Sequence, residues 1–249
     1  MAKTGPTEKT LLRSIQRNGC IHLALIDPEK PLESLPETVG ELQKFGTTAI
    51  MVGGSTVTSS SEIDATVKTI KANSSLPVIL FPNGLQGISR FADAIFFMSM
   101  LNSSKPQYIT GTQAMGAPIV KRFSLEAIPL GYILVGETNT AVSKISGAEK
   151  VPYSRPDLAQ AYALAAQYLG MRWVYLEAGS GAETPVTAEM VRKVVSSVEI
   201  PVIVGGGIRE PKQAEELAKS GAKALVTGTV LEIEGTSQVS RIIAALGRE

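Results

Sequence analysis

The carboxylate with the most chemistry in prospect is Glu177, in the stretch YLEAGSGA at residues 175–182. It stands two positions after Tyr175, so on a β-strand the two side chains share one face. Two glycine clusters follow, GGG at residues 205–207 and TGT at residues 227–229. Each of the three stretches comes directly after a short β-branched or aromatic run (WVYL, PVIV, ALV), so each reads as a loop at the C-terminal end of a buried parallel strand. Glycine and serine at such a place let backbone N–H groups close on an anion, and a helix starting just afterwards adds its positive end. The ligand implied carries a phosphate. A carboxylate beside a phosphate is badly placed to grip it and well placed to take a proton from a neutral hydroxyl of the same molecule. Taken by itself, Glu177 reads equally as a group that caps or neutralises something at a strand end.

Two further strand ends carry oxygen ligands. Asp27, in IDPEK, follows the first strand, and Ser55, in GGST, follows the second. Two hard oxygens and several waters suit Mg²⁺ held jointly with a substrate phosphate better than a calcium cage. Spacing alone leaves a plainer reading open, with Asp27 a turn residue before Pro28 and Ser55 a helix cap. The lone histidine, His22, falls inside the first strand on the face opposite Asp27, where a wall residue is expected rather than a catalytic one.

Positioning these groups takes eight short apolar strands alternating with helical stretches. Strands are expected at residues 21–26, 49–52, 77–81, 94–98 and 132–135, then in the WVYL, PVIV and ALV runs. Helices are expected at residues 7–18, 31–45, 62–72, 106–121 (with a glycine-containing break), 158–169, 187–197 and 211–220, with a short turn at 230–233 before a last helix at 237–246. Parallel strands need long crossovers, and eight of them in 249 residues predict a single-domain (β/α)8 TIM barrel, with a doubly wound open sheet as the alternative. The loops after strands seven and eight are the usual phosphate site of such barrels, and here they are the GGG and TGT segments. The polar run at residues 136–154 is the longest expected loop and a candidate lid.

A net charge of +1 with interspersed signs excludes a basic field for nucleic acid. No run approaches the length of a transmembrane span and no signal core opens the chain, so contact with a lipid would be transient and from the aqueous side. The single cysteine, Cys20, has no internal partner and reads as a packing residue in a reducing cytoplasm.

Seven motifs in register (HLALIDPEK, GGS after strand two, FPN at residues 81–83, FMSMLNS at 97–103, YLEAGSGA, VGGGIR and TGT) cover essentially the whole chain. Together they make it resemble the geranylgeranylglyceryl phosphate synthase family, in its mainly archaeal group. The resemblance implies a (β/α)8 barrel that moves a geranylgeranyl group from geranylgeranyl diphosphate to the sn-3 hydroxyl of sn-glycerol 1-phosphate, the first ether bond of archaeal-type membrane lipids. It implies Mg²⁺ on Asp27 and Ser55. It also implies glycerol phosphate enclosed by Tyr175, Leu176, Glu177, Ala178, Gly179, Ser180 and Gly181 with Gly206, Gly207, Gly228 and Thr229, and Glu177 as the base for the attacking hydroxyl. Members form dimers or larger assemblies, so a homo-oligomer is expected. Strand five ends VGET where the family more often has V-E-P-G, which sets Glu137 apart from the family pattern. A C20 chain needs an apolar groove, expected to run past strands three and four by Phe81 and Phe96 or Met98. A phosphosugar isomerase or lyase, and a non-catalytic phosphate binder, are the other function classes that the glycine loops would serve.

Overall fold

The computed structural model describes residues 4–30, 32, 34–54, 59–137 and 141–247, apart from the side chains of residues 141, 142 and 144. In chain order the elements are α1 (Pro6–Asn18), β1 (Ile21–Ile26), α2 (Leu35–Phe45), β2 (Ala49–Val52), α3 (Ser60–Asn73) and β3 (Val78–Leu80). A 3₁₀ turn at Leu85–Gly87 leads to β4 (Ala94–Met100), and a π-helical turn at Gln107–Gly111 leads into α4 (Thr112–Arg122). Then come β5 (Glu126–Leu134), α5 (Ala141–Ser146), α6 (Pro156–Tyr168), β6 (Trp173–Glu177) and α7 (Ala188–Val195). The chain ends with β7 (Val202–Gly205), α8 (Pro211–Lys219), β8 (Ala224–Thr227) and α9 (Thr229–Ala244). The eight strands pair in parallel in sequence order, and β8 returns to β1, closing the barrel. The expected (β/α)8 barrel is therefore the fold, and the open sheet is not.

The strands are apolar along both faces because each face is covered. Leu23, Met51, Ile79, Phe96, Leu130, Trp173, Ile203 and Ala224 fill the barrel interior, while Ala24, Ile50, Val78, Ile95, Val174, Val204 and Leu225 pack outward against helices. Helix α1 closes the bottom: Leu11 is fully buried in the interior cluster with Leu12 and Ile15 beside it. Its first N–H groups, of Thr7 and Glu8, donate to the Glu126 carboxylate at 2.7 and 2.9 Å, an anion where the helix dipole is positive. The Glu8 carboxylate then accepts from Arg172 Nε and from Trp173 Nε1, both at 2.9 Å, pinning α1 to β6.

The helix ring has a gap. Between β3 and β4 the chain carries only the 3₁₀ turn, because residues 81–93 hold Pro82, Gly84 and Gly87 and offer no run long enough for a helix. The outer layer is therefore left without a helix between β3 and β4. The expected turn at residues 230–233 and last helix at 237–246 are joined as α9, which bends at Gly235 (φ 74°, ψ −170°). Expected lid residues 136–154 include α5, and the part that is described is tied down. Asn102 donates to the carbonyls of Leu134 and Glu149, each at 2.8 Å, and Ser103 Oγ donates to the Ser146 carbonyl at 2.7 Å. Among the described residues no helix is long and apolar enough to cross a membrane.

Candidate active site

Strand β6 delivers Tyr175 and Glu177 to the same side, the barrel interior, as their spacing requires. Glu177 is only 7% exposed. Its Oε1 accepts the Gly179 N–H at 2.6 Å, so the loop after the strand folds back to hold the carboxylate. A Cβ on Gly206 would stand 2.5 Å from that same oxygen, and Gly206 has φ +83°, so a side chain at this position is barred twice. Burial raises the Glu177 carboxyl above its ordinary 4.5, against the Tyr175 hydroxyl, the Gly179 N–H and the Lys150 charge, which favour the ionised form.

Aromatic side chains account for that low-dielectric setting. Phe81, Phe96, Tyr132 and Tyr175 form a cluster at the top of the interior, with ring centroids 5.2 to 6.5 Å apart. Burial, and then the Glu177 charge, push the Tyr132 and Tyr175 hydroxyls well above their ordinary value of 10.

One side of the mouth is lined by Ser180 and Gly181 after β6, Gly206 and Gly207 after β7, and Gly228 and Thr229 after β8, the residues expected to face a phosphate. Ser180 Oγ and Thr229 Oγ1 lie 3.2 Å apart, and Thr229 opens α9, whose positive end faces the cavity. Arg209 lines the same region and donates to the Gly181 carbonyl at 3.3 Å. Its side chain brings a full positive charge that the sequence reading left unnamed. Not all of the expected stretch lines the cavity. Leu176 and Ala178 turn to the outer core, and the Gly179 N–H is spent on Glu177.

Asp27 stands at the end of β1 on the same cavity wall, so both acidic groups are at the C-terminal mouth rather than at opposite ends of the barrel. Its carboxylate lies against Gly54, where a Cβ would come within 2.3 Å, and its Oδ1 accepts from Glu29 N at 3.1 Å. Burial raises its pKa; the Glu29 N–H and the Lys30 charge work the other way. Ser55 lies outside the described residues. Among those described, no group of three or more His, Cys, Asp or Glu side chains converges. A hard carboxylate at the edge of this cavity fits a divalent cation whose remaining ligands are water and substrate oxygens. Beyond Asp27, Lys30 bridges to Glu232 of α9 at 2.9 Å and edges the mouth.

One cavity of about 280 Å³ joins all of these. From the aromatic cluster it continues past Phe81, Phe96 and Met98, as expected, and then out through the gap in the helix ring, along Leu85, Ile88, Ile95, Phe97, Gly116 and Val120. It touches both faces of β4, because the chain supplies no helix between β3 and β4 and α4 stands across the opening as its far wall. The sequence reading placed the start of this groove and missed its longer half.

Two residues of the 136–154 stretch were also missed. Lys150 Nζ donates to the Ala178 carbonyl at 2.9 Å, and Tyr153 OH donates to the Thr184 carbonyl at 2.8 Å, both beside Gly136. Burial lowers the Lys150 pKa, while the Glu177 and Glu137 carboxylates oppose that shift. Glu137 faces solvent and accepts from Tyr153 N at 2.9 Å, so in this VGET sequence it holds a loop. His22 is where parity put it, on the outer face of β1, with its ring nitrogens 3.0 Å from Thr47 Oγ1 and 2.8 Å from Thr227 Oγ1.

The profile of the PcrB family matches residues 13–246, nearly the whole barrel. The chain belongs to the PcrB family. Among its relatives in that family, the geranylgeranylglyceryl phosphate synthase of Pyrococcus horikoshii is 52% identical over 234 residues, covering 92% of this chain and 90% of its own. The geranylgeranylglyceryl phosphate synthase of Thermofilum pendens is 49% identical over 229 residues, covering 92% and 89%. A crystal structure of the Thermoplasma acidophilum synthase in complex with sn-glycerol-1-phosphate superposes with a TM-score of 0.90 at 40% identity, covering 98% of this chain and 99% of that one. The sequence resemblance and the reading of this PcrB-family protein as an enzyme of the geranylgeranylglyceryl phosphate synthase type are thereby borne out.

Proposed function

We propose that this enzyme joins the geranylgeranyl group of geranylgeranyl diphosphate to the sn-3 hydroxyl of sn-glycerol 1-phosphate, the first ether-forming step toward archaeal-type lipids. The observation that carries the reading is the single cavity in which a main-chain anion cradle, a buried carboxylate and a long apolar groove meet. The acceptor is supported by the Thermoplasma acidophilum relative, which was crystallised with sn-glycerol-1-phosphate. An isomerase or lyase acting on a phosphosugar would use the cradle and has no use for the groove.

In this reading the acceptor phosphate is held by the N–H groups around Gly206, Gly207, Gly228 and Thr229, with Ser180 and Arg209, and that handle presents the hydroxyl to Glu177. The carbon–oxygen bond to the diphosphate breaks, the acceptor oxygen bonds to the freed allylic carbon, and the hydroxyl proton passes to Glu177. Diphosphate leaves with the bonding pair. The rings of Phe81, Tyr132 and Tyr175 exclude water and offer their negative faces to positive charge developing on the prenyl carbon. A Mg²⁺ bound at Asp27 and Ser55 would neutralise charge on the departing diphosphate. The groove through the helix-ring gap takes the chain. The exposed pair Tyr168 and Leu169 (79% and 72%), at the end of α6, suits the expected homo-oligomer contact.

A transfer assay with both substrates, with and without Mg²⁺, tests the assignment. Ether product that requires the cation and is lost in Asp27→Ala is expected. Isomerised or cleaved phosphosugar with no ether product would favour the other enzyme class, and full activity of Asp27→Ala would remove the metal assignment.

A further inference from the structure

Beside the far end of the groove lies a second, shallow basin lined by Ser60, Asp64, Lys68, Arg90, Phe91 and Phe123. Ile88 lines both the basin and the groove, and Val120 of the groove is one turn of α4 away from Phe123 of the basin. The basin is therefore continuous with the place where a prenyl chain would emerge. Lys68 Nζ sits 4.1 Å from the centroid of the Phe91 ring, Arg90 lies 5.0 Å from the same ring, and Arg122 lies 5.2 Å from the Phe123 ring.

Lys68, Arg90, Lys121 and Arg122 are all exposed, and among the described residues none of them has a carboxylate within salt-bridge reach. The one carboxylate lining the basin, Asp64, is engaged by the Ser89 hydroxyl. Cations carried over half-buried aromatic rings, next to an apolar opening, form the pattern that meets an anionic lipid surface: charge for the headgroups, ring edges and groove mouth for the acyl boundary. No described helix could anchor the protein by spanning a bilayer, so association would have to be peripheral.

We propose that the basin of Lys68, Arg90, Phe91 and Phe123, with Arg122 beside it, rests on an anionic membrane surface and turns the open end of the groove toward the lipid. A membrane-borne donor and a lipid product are reasons for such a contact that depend on the prenyl-transfer reading; the charge pattern and the groove opening stand without it. The test is flotation of the full-length protein with vesicles of phosphatidylglycerol and with vesicles of phosphatidylcholine. The wild type is compared with K68Q/R90Q and with Lys212→Gln, a surface change on α8.

Each basic residue near an anionic surface is worth about fivefold in partitioning, so the double variant is expected to bind phosphatidylglycerol vesicles on the order of 20-fold more weakly. The Lys212 variant should bind as the wild type does, and none should float with phosphatidylcholine. Transfer from a detergent-dispersed donor should be equal in all three. A wild type that stays off phosphatidylglycerol vesicles, or a double variant that binds them as well as the wild type, overturns the proposal. Absence of transfer by the wild type in detergent, with vesicle binding intact, would instead count against the catalytic reading alone.

Discussion

At the scale of single residues, the proposed transfer turns on one carboxylate, Glu177, held in a dry place. In the proposed role of base Glu177 acts in its ionised form, and because burial raises its pKa above 4.5 the rate should fall as pH drops through that raised value. The acid limb of kcat/KM should thus lie above the ordinary carboxylate range. Lys150→Gln removes a positive charge that favours the carboxylate, so it should move the limb to still higher pH; a limb that does not move would show that Lys150 only braces the loop. Gly206→Ala puts a methyl group against Glu177 Oε1 at a left-handed backbone position. About 1–3 kcal/mol of stability and most of the activity should be lost. An alanine variant with full turnover would mean that the carboxylate is not fixed where it is drawn. Glu177 and the glycines were legible because period-two alternation and strand-end position can be read from neighbours in the chain. Lys150 and Arg209 were not, because each reaches the site from a separate loop and no local pattern marks a side chain that folds inward.

At the scale of elements, the notable feature is the helix that is not there. Residues 81–93 could be read as breaking helical structure, since Pro82, Gly84 and Gly87 fall in a short span, but the consequence is tertiary. Only the packed barrel shows that an unfilled place in the ring becomes a groove across β4. Helix α4 forms its opposite wall, and Gly116 there has just enough space for a methyl, with Ile88 and Leu85 carbons at 3.5 Å from an added Cβ. Gly116→Leu should therefore block the channel, cutting transfer from a C20 donor by more than tenfold while sparing a C10 donor. Equal losses with both donors would put the chain elsewhere. Side-chain bonds from Asn102 and Ser103 to the 136–154 stretch explain why a run that reads as a lid is, where described, a braced wall: sequence shows polarity, and the partners of polar atoms come from another loop.

At the scale of the whole molecule, the barrel was foreseeable from its count of strands, and the layers explain the pattern that made it so. Strands buried on both faces lack alternation, which is why they read as continuous apolar runs and why their ends, marked by glycine, aspartate and serine, stand out. The seam where the barrel closes holds a buried polar group, His22, between β1, the loop before β2 and β8. Burial drives its pKa from 6.5 to about 3. The unfolded chain thus binds a proton below pH 6.5 that the folded chain refuses, so stability should fall as pH drops from 6.5 toward 3. In His22→Asn the denaturation midpoint should be flatter across that window; an unchanged slope would place the acid sensitivity in other groups. The barrel brings the glycine loops, Glu177 and the groove into one cavity, and the proposed transfer depends most on Glu177. The most direct test measures sn-glycerol 1-phosphate binding and prenyl transfer on the same preparation of Glu177→Gln. Binding within about threefold of the wild type, with turnover reduced by ~10²–10⁴-fold, is the expected result, and turnover within tenfold of the wild type would contradict it.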